Sequence, residues 1–250
     1  MDFGRINPVV LVTGAATGLG AACARELAPC AAGGLILVDA EAGALDTAAD
    51  ALDGAPERVS TLAFDVADKA RWAEASAFID AQYGRLDFAV VNVSDGAAVL
   101  TDKRLRDRER GAEDDLDCAF LCLRALTRLL GANAQGGAIV LTVAAETLTD
   151  DPGGGLLPLL RVAAKEAAAF NVQVNALALG SPSAALARRA HSLQELTRDC
   201  GDEAAALDLV ARLPAPVARY VGDDAARLVA LLLAAPSTGV ALVVEAAAAL

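Results

Sequence analysis

The chain has few of the residues that usually carry acid–base and metal chemistry. Its 250 residues include one histidine (His191), two tyrosines (Tyr83 and Tyr220), three lysines (Lys69, Lys103 and Lys165) and one tryptophan (Trp72). A lone histidine, with cysteines that form no Cys-x-x-Cys pair, matches none of the common zinc or redox spacings, so no metal ligand is expected. The five cysteines (Cys23, Cys30, Cys118, Cys122, Cys200) are an odd number without a disulfide pattern. They read as small buried hydrophobes of a protein kept in the reducing cytoplasm. No apolar run approaches the roughly 20 residues of a membrane span, and the first five residues do not have the shape of a signal peptide. Positive charge is scarce: 21 Lys and Arg stand against 33 Asp and Glu, a net charge of -12. Such a chain repels phosphate backbones and anionic lipid, so neither nucleic acid nor a membrane is expected as a partner. The basic stretch 103–108 is followed at once by acids and reads as a solvated face.

Hydrophobic residues make up 55% of the chain and charged residues 22%. That composition suits one large packed domain over residues 1–250. Short, nearly all-apolar runs at 9–12, 35–38, 59–64, 88–91, 138–143, 172–179 and 240–244 read as strands. Helical stretches separate them, near 21–27, 42–52, 71–83, 113–131, 156–170, 183–211 and 222–234. Apolar strands alternating with helices imply a sheet covered on both faces. The expected fold is a single-domain, doubly wound α/β Rossmann fold with a mostly parallel seven-stranded sheet.

The first strand runs into Thr13-Gly14-Ala15-Ala16-Thr17-Gly18-Leu19-Gly20, which opens a helix. Glycines there let the backbone turn tightly and come close to a pyrophosphate, and the helix N-terminus offers N–H groups and partial positive charge. The second strand ends about 20 residues on in Asp39, a carboxylate placed to accept hydrogen bonds from both adenosine ribose hydroxyls. It would repel a 2′-phosphate, which favours NAD over NADP. The cofactor-binding candidates in this segment are Gly14, Thr17, Gly18, Leu19, Gly20 and Asp39.

The spacing Thr-Gly-x-x-x-Gly-x-Gly resembles the signature of the short-chain dehydrogenase/reductase family. Further matches extend along nearly the whole chain. Asp65-Val66 resembles the family's adenine-contacting pair, and Val91-Asn92-Val93-Ser94 stands in place of its Asn-Asn-Ala-Gly. Gln173-Val174-Asn175-Ala176, Arg219-Tyr220-Val221-Gly222 and Ser237-Thr238-Gly239 resemble later family segments. The resemblance adds Asp65, Val66 and Asn92 to the cofactor-binding candidates. It also implies oligomers, either of this chain or with an active paralogue. The helix carrying Leu116, Ala119, Phe120, Leu123, Leu126 and Leu130 is the expected interface.

What the resemblance implies for catalysis is missing. The family uses Tyr as general acid or base, with a Lys four residues later on the same helix to lower the Tyr pKa, plus a Ser and an Asn. Here the residue four after Tyr83 is Asp87, and four after Tyr220 is Asp224. The Ser position falls on Ala144 and the Asn position on Asp115. Glu166 and Asn175 keep the family's spacing, but about two helical turns are missing between Ala144 and Glu166. A glycine-rich loop over 147–155 is expected there, mobile over the former active site. The nicotinamide side has lost residues too: Leu179-Gly180 replaces Pro-Gly, and Ser183 is a weak stand-in for a Thr. No catalytic residue is assigned, and Lys165 reads as a surface residue.

The sequence thus implies an NAD-binding relative that is catalytically inactive, a partner or regulatory subunit, or an apo scaffold that binds no nucleotide. The alternative is an NAD-dependent oxidoreductase of a carbonyl or alcohol substrate, with Asp150, Asp151 or His191 as replacement acid or base. A non-redox enzyme on the same fold ranks last, because relatives of that kind keep the Ser and Tyr.

Overall fold

The computed structural model describes residues 4–52, 58–92, 108–144, 155–179 and 223–244, the side chains of 108–115, 144 and 223 excepted. Strand β1 (Val9–Thr13) leads into α1 (Gly18–Leu27) and a short 3-10 turn (Ala28–Cys30), then β2 (Gly34–Asp39) and α2 (Ala42–Asp50). β3 (Val59–Ala63), α3 (Lys69–Gln82), β4 (Phe88–Asn92), α4 (Arg108–Gly131) and β5 (Gly137–Ala144) follow. α5 (Leu156–Ala168), β6 (Val172–Leu179), α6 (Asp223–Ala234) and β7 (Ala241–Val244) complete the described elements. The expected helix over 183–211 lies outside the described residues.

The seven strands form one sheet in the order β3-β2-β1-β4-β5-β6-β7, and every pairing is parallel. Two-residue alternation divides the strands between two cores. Val9, Leu11, Ile36, Val38, Ala89, Val91, Ile139 and Leu141 point to the side covered by α3, α4 and α5. Val10, Val12, Leu35, Leu37, Phe88, Val90 and Val140 point to the side covered by α1 and α6. Both faces are therefore dry, which is why the strands carry apolar residues at successive positions rather than alternate ones.

α3 begins two residues earlier than the apolar pattern suggests, and two other helices begin earlier still. α1 starts at Gly18, within the glycine turn, and α4 at Arg108, because its first turns are charged and show no apolar period. The interface expectation for α4 is corrected. Ala119, Leu123, Leu126 and Leu130 are buried in the chain's own core, and Leu116 packs partly against it. Of the six residues, Phe120 is the one left largely open, at 49% exposure. An apolar stripe on a helix that covers a sheet is consumed by that sheet first.

Polar side chains close the sheet's amino-terminal edge. Asp87, fully buried just before β4, accepts from Val9 N at 2.9 Å, from Asn133 Nδ2 at 3.0 Å and from the Arg85 guanidinium. At the β7 edge, Asn175 is fully buried, donates to Ser237 O at 2.8 Å and accepts from Val240 N at 3.0 Å. Beside it, Thr238 Oγ1 accepts from Val174 N at 3.0 Å.

Candidate functional site

Strand order dictates where a site can form. β1 pairs with β2 on one side and β4 on the other, so the chain leaves β1 and β4 in opposite directions. That divergence opens a crevice over the carboxyl ends of the two strands. The glycine turn occupies it. Gly14 has a left-handed φ of +59°, which its neighbours could adopt only under strain. A Cβ on Gly20 would lie 1.9 Å from Gly14 O, so glycine is what lets α1 begin this close to the turn.

The N-terminus of α1 is left open. Its N-cap residue Thr17 is extended and makes no side-chain cap bond, and the first turn contains no acidic residue. Thr17 and Gly18 are exposed and Leu19 is half-buried. α3 shows the contrast, since Asp68 caps that helix by accepting from Ala70 N at 2.8 Å and Arg71 N at 3.4 Å. The first N–H groups of a helix without a cap, together with the helix dipole, suit an anion.

Asp39, half-buried at the end of β2, faces this turn. Its Oδ2 accepts from Ala16 N at 3.0 Å and its Oδ1 from Glu41 N at 3.2 Å. Each carboxylate oxygen still has acceptor capacity for a hydroxyl. Phe64 N donates to Asp39 O at 2.9 Å, which draws the end of β3 to the same corner. Just beyond lies exposed Asp65, whose Oδ1 accepts from Ala67 N at 2.9 Å. Val66 is half-buried and its carbonyl accepts from Trp72 Nε1 at 2.8 Å. Gly14, Thr17, Gly18, Leu19, Gly20, Asp39, Asp65 and Val66 thus all lie around the carboxyl ends of β1, β2 and β3.

Asn92 also reaches this corner, with its side chain committed to the protein. Its Nδ2 donates to Thr13 O at 2.5 Å, its Oδ1 accepts from Thr142 Oγ1, and its backbone N donates to Thr13 Oγ1 at 3.0 Å. The side chain sits beneath the turn, where a Cβ on Gly14 would meet Asn92 Cβ at 3.2 Å. Asn92 therefore braces β1, β4 and β5 and supports the glycine turn from below. Thr13 and Thr142, both buried, escaped the sequence reading. Their signal was a hydroxyl near the carboxyl end of an otherwise apolar strand.

Among the described residues, the positions weighed for catalysis lie apart. Tyr83 lies at the far end of β2 from Asp39. Its Oη is 2.7 Å from Ser60 Oγ, its ring carries the Arg58 guanidinium at 4.5 Å, and a Cβ on Gly34 would meet the ring at 2.1 Å. Lys165 and Glu166 are exposed at the end of α5. Ala144 pairs with Leu179 through the sheet backbone. Tyr220, Lys103, Asp150, Asp151, Ser183 and His191 lie outside the described residues, as does the side chain of Asp115. Among the described residues no group of three His, Cys, Asp or Glu could hold a metal ion, and no helix is long and apolar enough to cross a membrane.

No disulfide joins the described cysteines. Burial pushes the Cys23 thiol up from 9.0 to about 12, with Glu26 adding to the effect. Its hydrogen bond with Cys118, followed by burial, holds the Cys122 thiol well above the usual range. Thiols held neutral are poor nucleophiles.

Known proteins resemble this chain in sequence and in fold. A cis-4-hydroxycyclohexanecarboxylate dehydrogenase of Sinomonas cyclohexanicum is 33% identical over 182 residues, which span 69% of this chain and 72% of that protein. The carveol dehydrogenase of Mycobacterium avium, solved in complex with NAD, superposes with a TM-score of 0.68 at 23% identity, covering 96% of this chain and 97% of that one. The L-sorbose reductase of Gluconobacter frateurii, solved with NADPH and L-sorbose, gives a TM-score of 0.68 at 25% identity, covering 99% and 98%. The model of the family described as short chain dehydrogenase matches residues 8–195, from the start of β1 through the glycine turn and past β6. With an all-parallel sheet in the order 3-2-1-4-5-6-7 and a glycine turn at its switch point, the chain belongs to the short-chain dehydrogenase family.

Proposed function

We propose that this family member binds NAD by its adenosine half and is catalytically inactive, serving as a partner or regulatory subunit. The observation that carries the reading is the absence of a Tyr-x-x-x-Lys pair. Tyr83 is engaged with Ser60 at the opposite edge of the sheet, and the residue four after it is the buried Asp87. The α1 N-terminus and glycine turn would hold the pyrophosphate, Asp39 the adenosine ribose, and Asp65 and Val66 the adenine. A bound nicotinamide would supply hydride chemistry. On this reading the chain places no tyrosine or lysine beside it to move the accompanying proton. Asp39 favours NAD, since a 2′-phosphate would meet its carboxylate.

Calorimetric titration with AMP, NAD and NADP tests the binding half. AMP and NAD are expected to bind with modest affinity and NADP more weakly; equal binding of NAD and NADP would refute the role given to Asp39. For the partner role, exposed Phe120 on α4 and Val162 on α5, at 49% and 55%, offer apolar contacts on two helices that pack together. A monodisperse monomer in light scattering would count against it.

One observation favours the other reading: the 33%-identical relative is a dehydrogenase. An active enzyme would then draw its acid or base from Asp150, Asp151 or His191. NADH oxidation across a carbonyl panel, lost on replacing one of these three, would decide for it.

A further inference from the structure

A groove of about 440 Å³ runs between α3 and α4 and shares no lining residue with the glycine turn. Trp72, Leu121 and Leu129 form its apolar floor, and Lys69, Arg124 and Arg128 its rim. Arg124 and Arg128 stand one helical turn apart, so they project on the same side of α4. None of these three cations has an ion pair or a side-chain hydrogen bond among the described residues. The groove contains one acid, Asp80, so its lining carries a local charge of +2 (three cations less one anion) on a chain whose net charge is -12. A lining with this surplus of cations around an apolar depression is complementary to an anion with an apolar body. The volume lies within the range of small-molecule sites.

We propose that this groove binds a small amphiphilic carboxylate, with its hydrocarbon on Trp72, Leu121 and Leu129 and its carboxylate against Arg124 and Arg128. Planar guanidinium groups match a carboxylate's two oxygens, and an arginine pair at this spacing offers more than one such approach. Lys69 adds a third positive charge at the other helix.

The site has its own reporter, because Trp72 is the chain's one tryptophan. Decanoate is titrated into the full chain while Trp72 fluorescence is read, with and without saturating AMP. The expected result is a saturable change that persists with AMP present, and about tenfold weaker binding of decanol, which has the tail without the charge. The double variant Arg124→Glu/Arg128→Glu is expected to weaken decanoate by at least about tenfold while leaving AMP binding unchanged. No saturable change below the micelle concentration, displacement by AMP, or equal binding of decanol and decanoate would overturn the proposal. All three outcomes are read on the unaltered chain, so the test stands even if the double variant does not fold. It also stands if the nucleotide reading fails, because it needs no nucleotide.

Discussion

At the amino-terminal edge of the sheet, Asp87 is fully buried and receives donors from Val9, Asn133 and Arg85; at the carboxyl-terminal edge, Asp39 is half-buried and, among the described residues, receives two backbone N–H groups. Both are carboxylates at the ends of apolar strands, and both tie distant segments together. They differ in what is left over. Asp87 is enclosed by the protein, whereas Asp39 keeps acceptor capacity beside a helix end that no side chain caps. Two further polar side chains resemble the closed edge. Thr142, near the carboxyl end of β5, is bound to Asn92, and Asn175, in the middle of β6, is bound to the turn that precedes β7. Unmet polar capacity, rather than polarity itself, distinguishes the candidate site from the framework.

Substitutions can break this comparison. Asp87→Ala has the largest expected effect on stability, a loss of about 3–4 kcal/mol in urea denaturation, because it leaves two N–H donors and a half-buried guanidinium without their acceptor. The AMP affinity of the folded fraction should stay within about threefold, since the change lies at the other edge. A variant that kept its stability and lost AMP would reverse the roles assigned to the two edges. Gly20→Ala comes next. Its Cβ would fall 1.9 Å from Gly14 O, so α1 must shift, at a cost of about 1–3 kcal/mol and with at least about tenfold weaker AMP binding by calorimetry.

Asp39→Asn sharpens the contrast from the other side. Thermal unfolding should move little, by under about 1 kcal/mol. On the proposed reading of Asp39, NAD affinity should fall about tenfold and any preference over NADP should narrow, because a charge-assisted acceptor becomes a neutral one. Thr142→Val removes the donor to Asn92 Oδ1 with little change of shape, and should cost about 1 kcal/mol in the same unfolding assay. The smallest effect concerns Cys23. Its thiol stays neutral in the fold up to about pH 12 but ionises above 9.0 when unfolded. The stability this contributes is therefore complete below pH 9 and declines as pH rises from there toward 12. At pH 8, labelling of Cys23 by a disulfide reagent should wait for unfolding, as mass spectrometry of the labelled chain would show.

The strands were legible because a parallel sheet buried on both faces demands continuous apolar runs, and 9–12, 35–38 and 88–91 supply them. Helix starts were less so. Gly18 and Gly20 disguise the beginning of α1, and the charged turns after Arg108 hide that of α4. Burial of the α4 stripe depends on which surface the helix covers, and periodicity is silent on that point. In the site, glycine spacing and Asp39 could be read from neighbouring residues. The Thr13–Asn92–Thr142 bridge and the triple engagement of Asp87 could not, since each joins segments brought together only by the order of strands in the sheet.

The Asn175–Thr238 clasp has a kinetic consequence. β7 is short, its Leu242 and Val243 are 37% and 50% exposed, and it is held at its leading end by side chains rather than along its length by a core. Such a strand can lift from β6 without melting the rest of the sheet. In hydrogen–deuterium exchange, the amides of Ala241–Val244 should exchange through this local opening. Those of β1, with strands on both sides, should wait for global unfolding. Asn175→Ala should speed the first group and leave the order of the two unchanged, so the clasp acts as the latch that sets how often this edge of the molecule is open.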